Sequence, residues 1–264
     1  MKIEKIGTVI KEVAEEEILP SFRNLKEHEI ILKSEGDFVT KADLEAEISL
    51  STKLKALYPD SIITGEEDIA SSPSKLDELL KAPLGFLIDP IDGTNNFIKG
   101  DERFAVMVVA LQYGETVASW IYLPASCKMA MTEKGSGAYL DDNKAVLMDA
   151  PQEMKDIIGA AHLNRMPPKL RDAARKNIQK FKKNVPAFCA GYDYIRLLES
   201  RIHFSAYSRT LLWDHLPGTL LFQEAGGYVR QLDGKIYSSL NDGEGLLSAF
   251  NETIWHKIKN TIFL

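Results

Sequence analysis

The chain has 264 residues, 45% of them apolar, and a formal charge of −6. That length and apolar share suffice for a sizeable core without disulfide staples, and the acidic balance excludes a broad nucleic-acid surface. Cys127 and Cys189 are the two cysteines; they exclude a disulfide-built scaffold and are expected as unpaired thiols, and no His/Cys spacing suggests zinc.

Met1-Lys2-Ile3-Glu4-Lys5 opens an amphipathic pattern rather than a signal peptide. Ile3, Ile6, Val9, Ile10, Val13 and Ala14 recur at helical spacing, and this helix is expected to stop at Pro20. A second helix is expected from Thr40 to Leu57, with Leu44, Ile48, Leu54 and Leu57 on its apolar face, followed by a turn at Tyr58-Pro59-Asp60. Ile62-Ile63-Thr64 reads as a short strand leading into Gly65-Glu66-Glu67-Asp68, and Ser71-Ser72-Pro73-Ser74 as a polar loop. Phe86-Leu87-Ile88 is a further strand, ended by Asp89-Pro90. Strand-rich stretches follow at Phe104 to Leu111, Thr116 to Tyr122 and Lys128 to Thr132, with a hairpin turn at Asp141-Asp142-Asn143.

The second half alternates more. Strands are expected at Ile157 to Ala161, His203 to Tyr207 and Leu246 to Phe250. Helices are expected at Lys169 to Phe181, after Trp213-Asp214 as far as Gly226-Gly227, and from Asn251 onward. Tyr228 to Tyr237 reads as a hairpin around Asp233-Gly234. With no repeat or linker, the chain is expected as one unit over 1–264, with 1–150 an α+β half and 151–264 an α/β half. No run approaches the ~18 apolar residues of a membrane span, so a cytoplasmic protein is expected.

Separated acidic segments carry the chemistry. In Asp89-Pro90-Ile91-Asp92-Gly93-Thr94-Asn95-Asn96-Phe97 an apolar strand delivers Asp89, Pro90 turns the chain, and Asp92 is presented beside it. Gly93 lets the backbone approach a ligand, and a helix starting near Thr94 offers free N–H groups to a phosphate. The plainer reading of such a segment is a turn whose aspartates cap a helix. Glu66 lies in an acidic loop that, taken alone, would simply face water. Asp214 in Trp213-Asp214-His215 reads as a helix N-cap, favoured there by N–H donors and the dipole. Thr40-x-x-Asp43 has capping-box spacing, which leaves Asp43 free to edge a metal site; Glu47, one turn on, reads as solvated or structural.

Asp37-Phe38-Val39-Thr40-Lys41-Ala42-Asp43, Gly65-Glu66-Glu67, the Asp89 segment, and Trp213-Asp214 with Glu224-Ala225-Gly226-Gly227 together resemble, in order and spacing, the inositol monophosphatase family. That family lies within the lithium-sensitive, Mg²⁺-dependent phosphatases, and the bacterial SuhB-type branch is the nearest likeness. The resemblance implies an α+β fold, layered as an α-β-α-β-α sandwich, and a homodimer. It implies that Glu66, Asp89 and the Ile91 carbonyl hold one Mg²⁺ and that Asp89, Asp92 and Asp214 hold a second. A third ion would lie loosely near Glu66, through water, with Asp43 behind it. Thr94 and Glu66 would position the attacking water, with Asp43 the third catalytic residue. Ile91, Asp92, Gly93, Thr94 and Asp214 would line the substrate, Gly93 and Thr94 through backbone donors to phosphate.

The chemistry agrees with such a set. Magnesium takes oxygen ligands, and two like charges ~5 Å apart cost roughly 3 kcal/mol at an effective dielectric of 20, so crowded carboxylates need cations. Phosphate-monoester hydrolysis needs rate factors up to ~10²¹, against ~10²–10⁴ from one general acid or base. Positioning and charge stabilisation must supply the rest. His28, His162, His203, His215 and His256 are scattered, which leaves no serine–histidine rival; His215 reads as structural and Lys33 as solvated.

Substrate choice is less settled by the resemblance. Inositol-specific members carry Gly-Ser/Thr-Ala-Ala where this chain has Phe188-Cys189-Ala190-Gly191, and a sugar-binding glutamate where it has Tyr207. Asp193 and Arg196 are candidate replacements. The expected substrate is an inositol or similar polyol or sugar monophosphate. The alternatives are a phosphoadenosine-bisphosphate nucleotidase, a fructose-bisphosphatase, or a regulatory binding protein that keeps the fold and works through a partner.

Overall fold

A computed structural model describes residues 1–164, 166, 168–240 and 245–263. Helix α1 (Ile3–Val13) buries Ile6, Val9, Ile10 and Val13, then continues through a π-helical turn at Ala14–Ile18. Strands β1 (Ile30–Ser34) and β2 (Asp37–Thr40) form an antiparallel hairpin that patterning did not reveal, because it buries too little to leave an apolar alternation. Helix α2 (Lys41–Leu57) starts on a capping box between Thr40 and Asp43. Its buried face is not the expected one. Ala42, Ala46, Leu50 and Leu54 are buried, while Leu44 and Ile48 are exposed. The two alanines of this face carry little hydrophobic signal of their own.

Strand β3 (Ile62–Gly65), helices α3 (Glu66–Ser71) and α4 (Ser74–Lys81), strand β4 (Gly85–Asp92), helix α5 (Thr94–Ile98), and strands β5 (Ala105–Gln112), β6 (Glu115–Leu123), β7 (Lys128–Glu133), β8 (Ala138–Leu140) and β9 (Asn143–Lys144) complete the first half. The strands join in sequence order into one seven-stranded sheet, parallel only at β3–β4. Asp141 and Asp142 both take positive φ, as the expected hairpin turn between β8 and β9 requires.

The second half contains β10 (Ile158–His162), α6 (Pro168–Asn177), β11 (Lys183–Asn184), α7 (Ala190–Leu198), β12 (Phe204–Tyr207), α8 (Leu212–Glu224), β13 (Tyr228–Gln231), β14 (Leu246–Ala249) and α9 (Glu252–Ile262). The sheet order is β11-β10-β12-β14-β13, with β14 antiparallel to both neighbours. The expected hairpin at Tyr228 to Tyr237 is corrected here. The turn at Asp233-Gly234 forms, but β13 pairs with β14 instead of a local return arm. Leu246, Leu247 and Ala249 are fully buried, and that burial outweighs the local turn.

Alternation along the large sheet sorts its two faces. Phe86, Ile88, Val106, Val108, Trp120 and Tyr122 pack with α1 and α2. Leu87, Met107, Val109, Leu111 and Ile121 face α7 and α8, which rest on the five-stranded sheet, and α6 and α9 cover its far side. The layers therefore run α-β-α-β-α. A Cβ on Gly218 would collide with the Tyr194 ring, so this glycine sets the close packing of α8 on α7. Both cysteines are free thiols. Among the described residues no helix is long and apolar enough to cross a membrane.

Candidate active site

Strand β4 does not stop at Pro90 as the sequence reading has it. It runs to Asp92, with a shift in its pairing to β5 between Asp89 and Asp92. The bulge accommodates a residue without an N–H. Asp89 shares the face of Leu87, toward α8. Gly93 takes φ 87 and turns the strand directly into α5, a conformation that suits a residue without a Cβ.

Three carboxylates from three elements meet beside this bulge. Glu66 opens α3, Asp89 comes from β4 and Asp214 from the first turn of α8, and their oxygens lie within 4.8 Å of one another. Asp214 is not an N-cap. Leu211 holds that position, and no side-chain cap is made, so the carboxylate is free for another role. Asp89 Oδ1 is buried without a hydrogen-bond partner. Burial, reinforced by the neighbouring carboxylates, pushes Asp89 and Asp214 well above the usual carboxylate range. A buried, unpartnered oxygen facing two further carboxylates fits a hard cation, which takes oxygen ligands and removes the repulsion.

Asp92 stands outside the triad. Its Oδ2 accepts the Gly191 N–H at 2.6 Å and the Cys189 S–H at 3.1 Å, leaving Oδ1. Burial pushes its carboxyl up to about 6 despite those bonds. On the other side, Thr94 Oγ1 lies 3.0 Å from the Ile91 carbonyl oxygen and 3.3 Å from Asp43 Oδ1. Asp43 Oδ2 accepts the Thr40 N–H at 2.8 Å and the Thr40 hydroxyl at 2.5 Å. Asp43 therefore both caps α2 and reaches Thr94. Burial pushes its carboxyl up to about 7.

Two residues beside the cluster differ from or sharpen the sequence reading. Lys33 is not solvated. Its ammonium bridges Glu66 at 2.9 Å and Glu67 at 2.8 Å. Burial opposes its charge, but the two glutamates hold its pKa above the ordinary lysine value. The β1–β2 hairpin, unseen in the pattern, is what carries it there. Glu47 is structural: its carboxylate accepts the N–H groups of Glu67 at 3.0 Å and Asp68 at 2.9 Å. It thus holds the first turn of α3 and, with it, Glu66. Its place four residues after Asp43, on one helix face, was the available signal.

The inositol monophosphatase family profile matches residues 2–262. The chain belongs to the inositol monophosphatase family. It is 28% identical over 228 residues to a protein named Nus factor SuhB from Vibrio cholerae, covering 82% of this chain and 80% of that one. It is also 28% identical over 223 residues to an inositol-1-monophosphatase from Mesorhizobium japonicum, covering 81% and 79%. The crystal structure of extragenic suppressor protein suhB from Bartonella henselae superposes with a TM-score of 0.82 at 24% identity, over 98% of each chain, and shows the same fold.

A cavity of about 450 Å³ adjoins Asp92 and Asp214 and is walled by His162, Phe188, Tyr207 and Arg209 among others. Asp193 and Arg196, the candidate hydroxyl binders, do not serve it. Asp193 is fully buried, paired with Arg196 at 2.8 Å and His162 Nε2 at 2.7 Å; Arg196 also donates to the Val185 carbonyl. Burial drives His215 down to about 3. As a neutral ring it bridges the Arg209 carbonyl and Tyr194 Oη, the structural role expected. The sequence offered no periodic signal for His162 or Phe188, which reach the cavity from separate segments.

Proposed function

We propose that this chain is a Mg²⁺-dependent phosphatase acting on a small polyol or sugar phosphate, the class that includes inositol monophosphate, by direct attack of water. The observation that carries this reading is the meeting of Glu66, Asp89 and Asp214 around one centre, with Asp89 Oδ1 left unpartnered. Those three would hold Mg²⁺, with Asp92 and the Ile91 carbonyl completing the set for two ions and room beside Glu66 for a looser third. Bound Mg²⁺ supplies Lewis-acid polarisation of the phosphoryl oxygens and a lower pKa for water.

The chain's own residues do the rest. Thr94 Oγ1 takes a hydrogen bond from the attacking water, and its hydroxyl, 3.0 Å from the Ile91 carbonyl oxygen and 3.3 Å from Asp43 Oδ1, passes its own proton to Asp43 when the carbonyl is engaged elsewhere. Asp43 titrates near neutrality, with its carboxyl at about 7, so it is matched to receive that proton. Glu66 orients the water from the opposite side. Backbone N–H groups at Gly93 and Thr94 donate to the phosphate, whose charge stays on its outer oxygens through the transfer. A homodimer and lithium inhibition belong to this proposal on family grounds. A partner-dependent regulatory role is the second reading, favoured by the likeness to a relative named a Nus factor.

Phosphate release from a panel of phosphate monoesters, with Mg²⁺ and with chelator, tests the proposal. Asp92→Asn is expected to reduce the Mg²⁺-dependent rate by at least about 100-fold, with an unchanged circular dichroism spectrum. Full activity in that variant contradicts the assignment. Negligible turnover by the wild type, with a protein partner retained by Asp92→Asn, favours the regulatory reading.

A further inference from the structure

In the proposed reaction the attacking water gives its proton to Asp43 through Thr94, and the departing alkoxide needs a proton of its own. We propose that His162 is a further catalytic residue, the general acid that protonates the leaving oxygen, and that Asp193 and Arg196 position it. This rests on the phosphatase reading and adds a residue to its chemistry.

His162 ends β10 and stands on the wall of the cavity that adjoins Asp92 and Asp214. Three contacts fix its ring. Nε2 lies 2.7 Å from Asp193 Oδ2, the ring stacks on Tyr207 with centroids 4.5 Å apart, and Phe188 meets it edge-on at 5.7 Å. Among the described residues Nδ1 has no hydrogen-bond partner, and it is not one of the buried orphan atoms. The imidazole is thus tethered at one nitrogen and open at the other. A carboxylate on one nitrogen fixes the tautomer and stabilises the imidazolium, which leaves the second N–H to be given away.

Asp193 is built for that role rather than for substrate. Its side chain is fully buried on α7, and it also accepts Arg196 Nη1 at 2.8 Å and the Ala187 N–H at 3.3 Å. A buried charge must be paired. Arg196 pairs Asp193 whether or not the ring carries its extra proton, so His162 can lose that proton without leaving the carboxylate uncompensated. The other wall groups suit the task less well. His215 is neutral and engaged with the Arg209 carbonyl and Tyr194 Oη. Lys99 and Arg209 are exposed, and among the described residues no hydrogen bond or ion pair aims either side chain. As the bond from phosphorus to the alcohol oxygen breaks, that oxygen takes the Nδ1 proton and leaves as the alcohol. His162 is left neutral and regains a proton from solvent, to which Asp43 releases the one it received.

The test pairs two esters at saturating Mg²⁺: glycerol 2-phosphate, whose alkoxide needs a proton, and p-nitrophenyl phosphate, whose anion leaves without one. His162→Gln can still donate to Asp193 through its amide but has no proton to give. It is expected to lower kcat and kcat/KM for glycerol 2-phosphate about 100-fold or more, and for p-nitrophenyl phosphate by about fivefold at most. A melting curve checks that it folds. Equal loss on both esters makes His162 structural and overturns the inference. The second readout is the ratio of kcat/KM for the glycerol ester to that for the nitrophenyl ester. In the wild type it is expected to fall about tenfold per pH unit at the alkaline end, as Nδ1 loses its proton, and in the variant to stay flat. Asp43, Asp92 and Asp214 act on both esters and cancel in the ratio. Asp193, Arg196, Tyr207 and His215 are the other titratable or charged groups packed around the ring. A wild-type ratio constant with pH also overturns the inference, and it decides the matter if the variant does not fold. If the wild type hydrolyses neither ester, the phosphatase reading itself fails and the inference falls with it.

Discussion

Asp89→Asn is expected to lower Mg²⁺-dependent phosphate release by about 10³-fold or more while raising the melting temperature of the metal-free protein. The two effects have one cause. Asp89 is buried beside Glu66, Asp92, Asp214 and Asp43, and one of its oxygens has no partner. Without metal, each ionised pair at ~5 Å costs roughly 3 kcal/mol at an effective dielectric of 20. Asparagine removes that charge at constant shape and brings N–H donors toward Glu66 and Asp214. Every 1 kcal/mol recovered raises the melting temperature by about 2–4 °C in a chain of this size. With Mg²⁺ the same change deletes the ligand shared by the proposed ions. Rate assays and thermal melts, each with Mg²⁺ and with chelator, check both halves. A variant that keeps more than a tenth of the activity, or still gains wild-type stability from Mg²⁺, contradicts the account.

Stability should also depend on pH in opposite directions with and without the metal. Unfolded carboxyls titrate near ~4. In the fold Asp92 is held up to about 6, and Asp43 and Glu47 up to about 7, chiefly by burial. Between those values the folded chain keeps protons that the unfolded chain has released. The stability from these groups is thus full below pH ~4 and is lost as pH rises through about 6 to 7. Mg²⁺ needs the deprotonated carboxylates, so its stabilisation grows over the same window. At about 100 times its Kd it adds about 2.7 kcal/mol, or about 5–10 °C. Melts from pH 5 to pH 8 are expected to show the Mg²⁺-induced gain increasing with pH. A gain at pH 5 equal to that at pH 8 removes the carboxylates as the binding groups.

Much of the site was legible because its key segment is local. Within Asp89 to Phe97 the sequence shows an apolar strand, a glycine and a helix start in register, and the structure adds only the bulge that carries β4 past Pro90. Glu66 and Asp214 were legible through order and spacing, although Asp214 lies in the first turn of α8 rather than at its cap. The layered fold followed from the same resemblance. What stayed hidden depends on distant contacts. Lys33 reaches Glu66 because a weakly buried hairpin folds over the site. Alanines set the buried face of α2, and the pairing of β13 with β14 overrides a good local turn. The packing of Tyr207 between His162 and His215 joins distant segments, and Asp193 could not be dismissed until Arg196 and His162 were seen to enclose it.

The most direct measurement is an anomalous difference map from crystals grown with Mn²⁺ in place of Mg²⁺. The account predicts a strong peak bonded to carboxylate oxygens of Glu66, Asp89 and Asp214 together, absent in Asp89→Asn crystals. Well-ordered crystals of the wild type at millimolar Mn²⁺ with no peak among those three residues would contradict it.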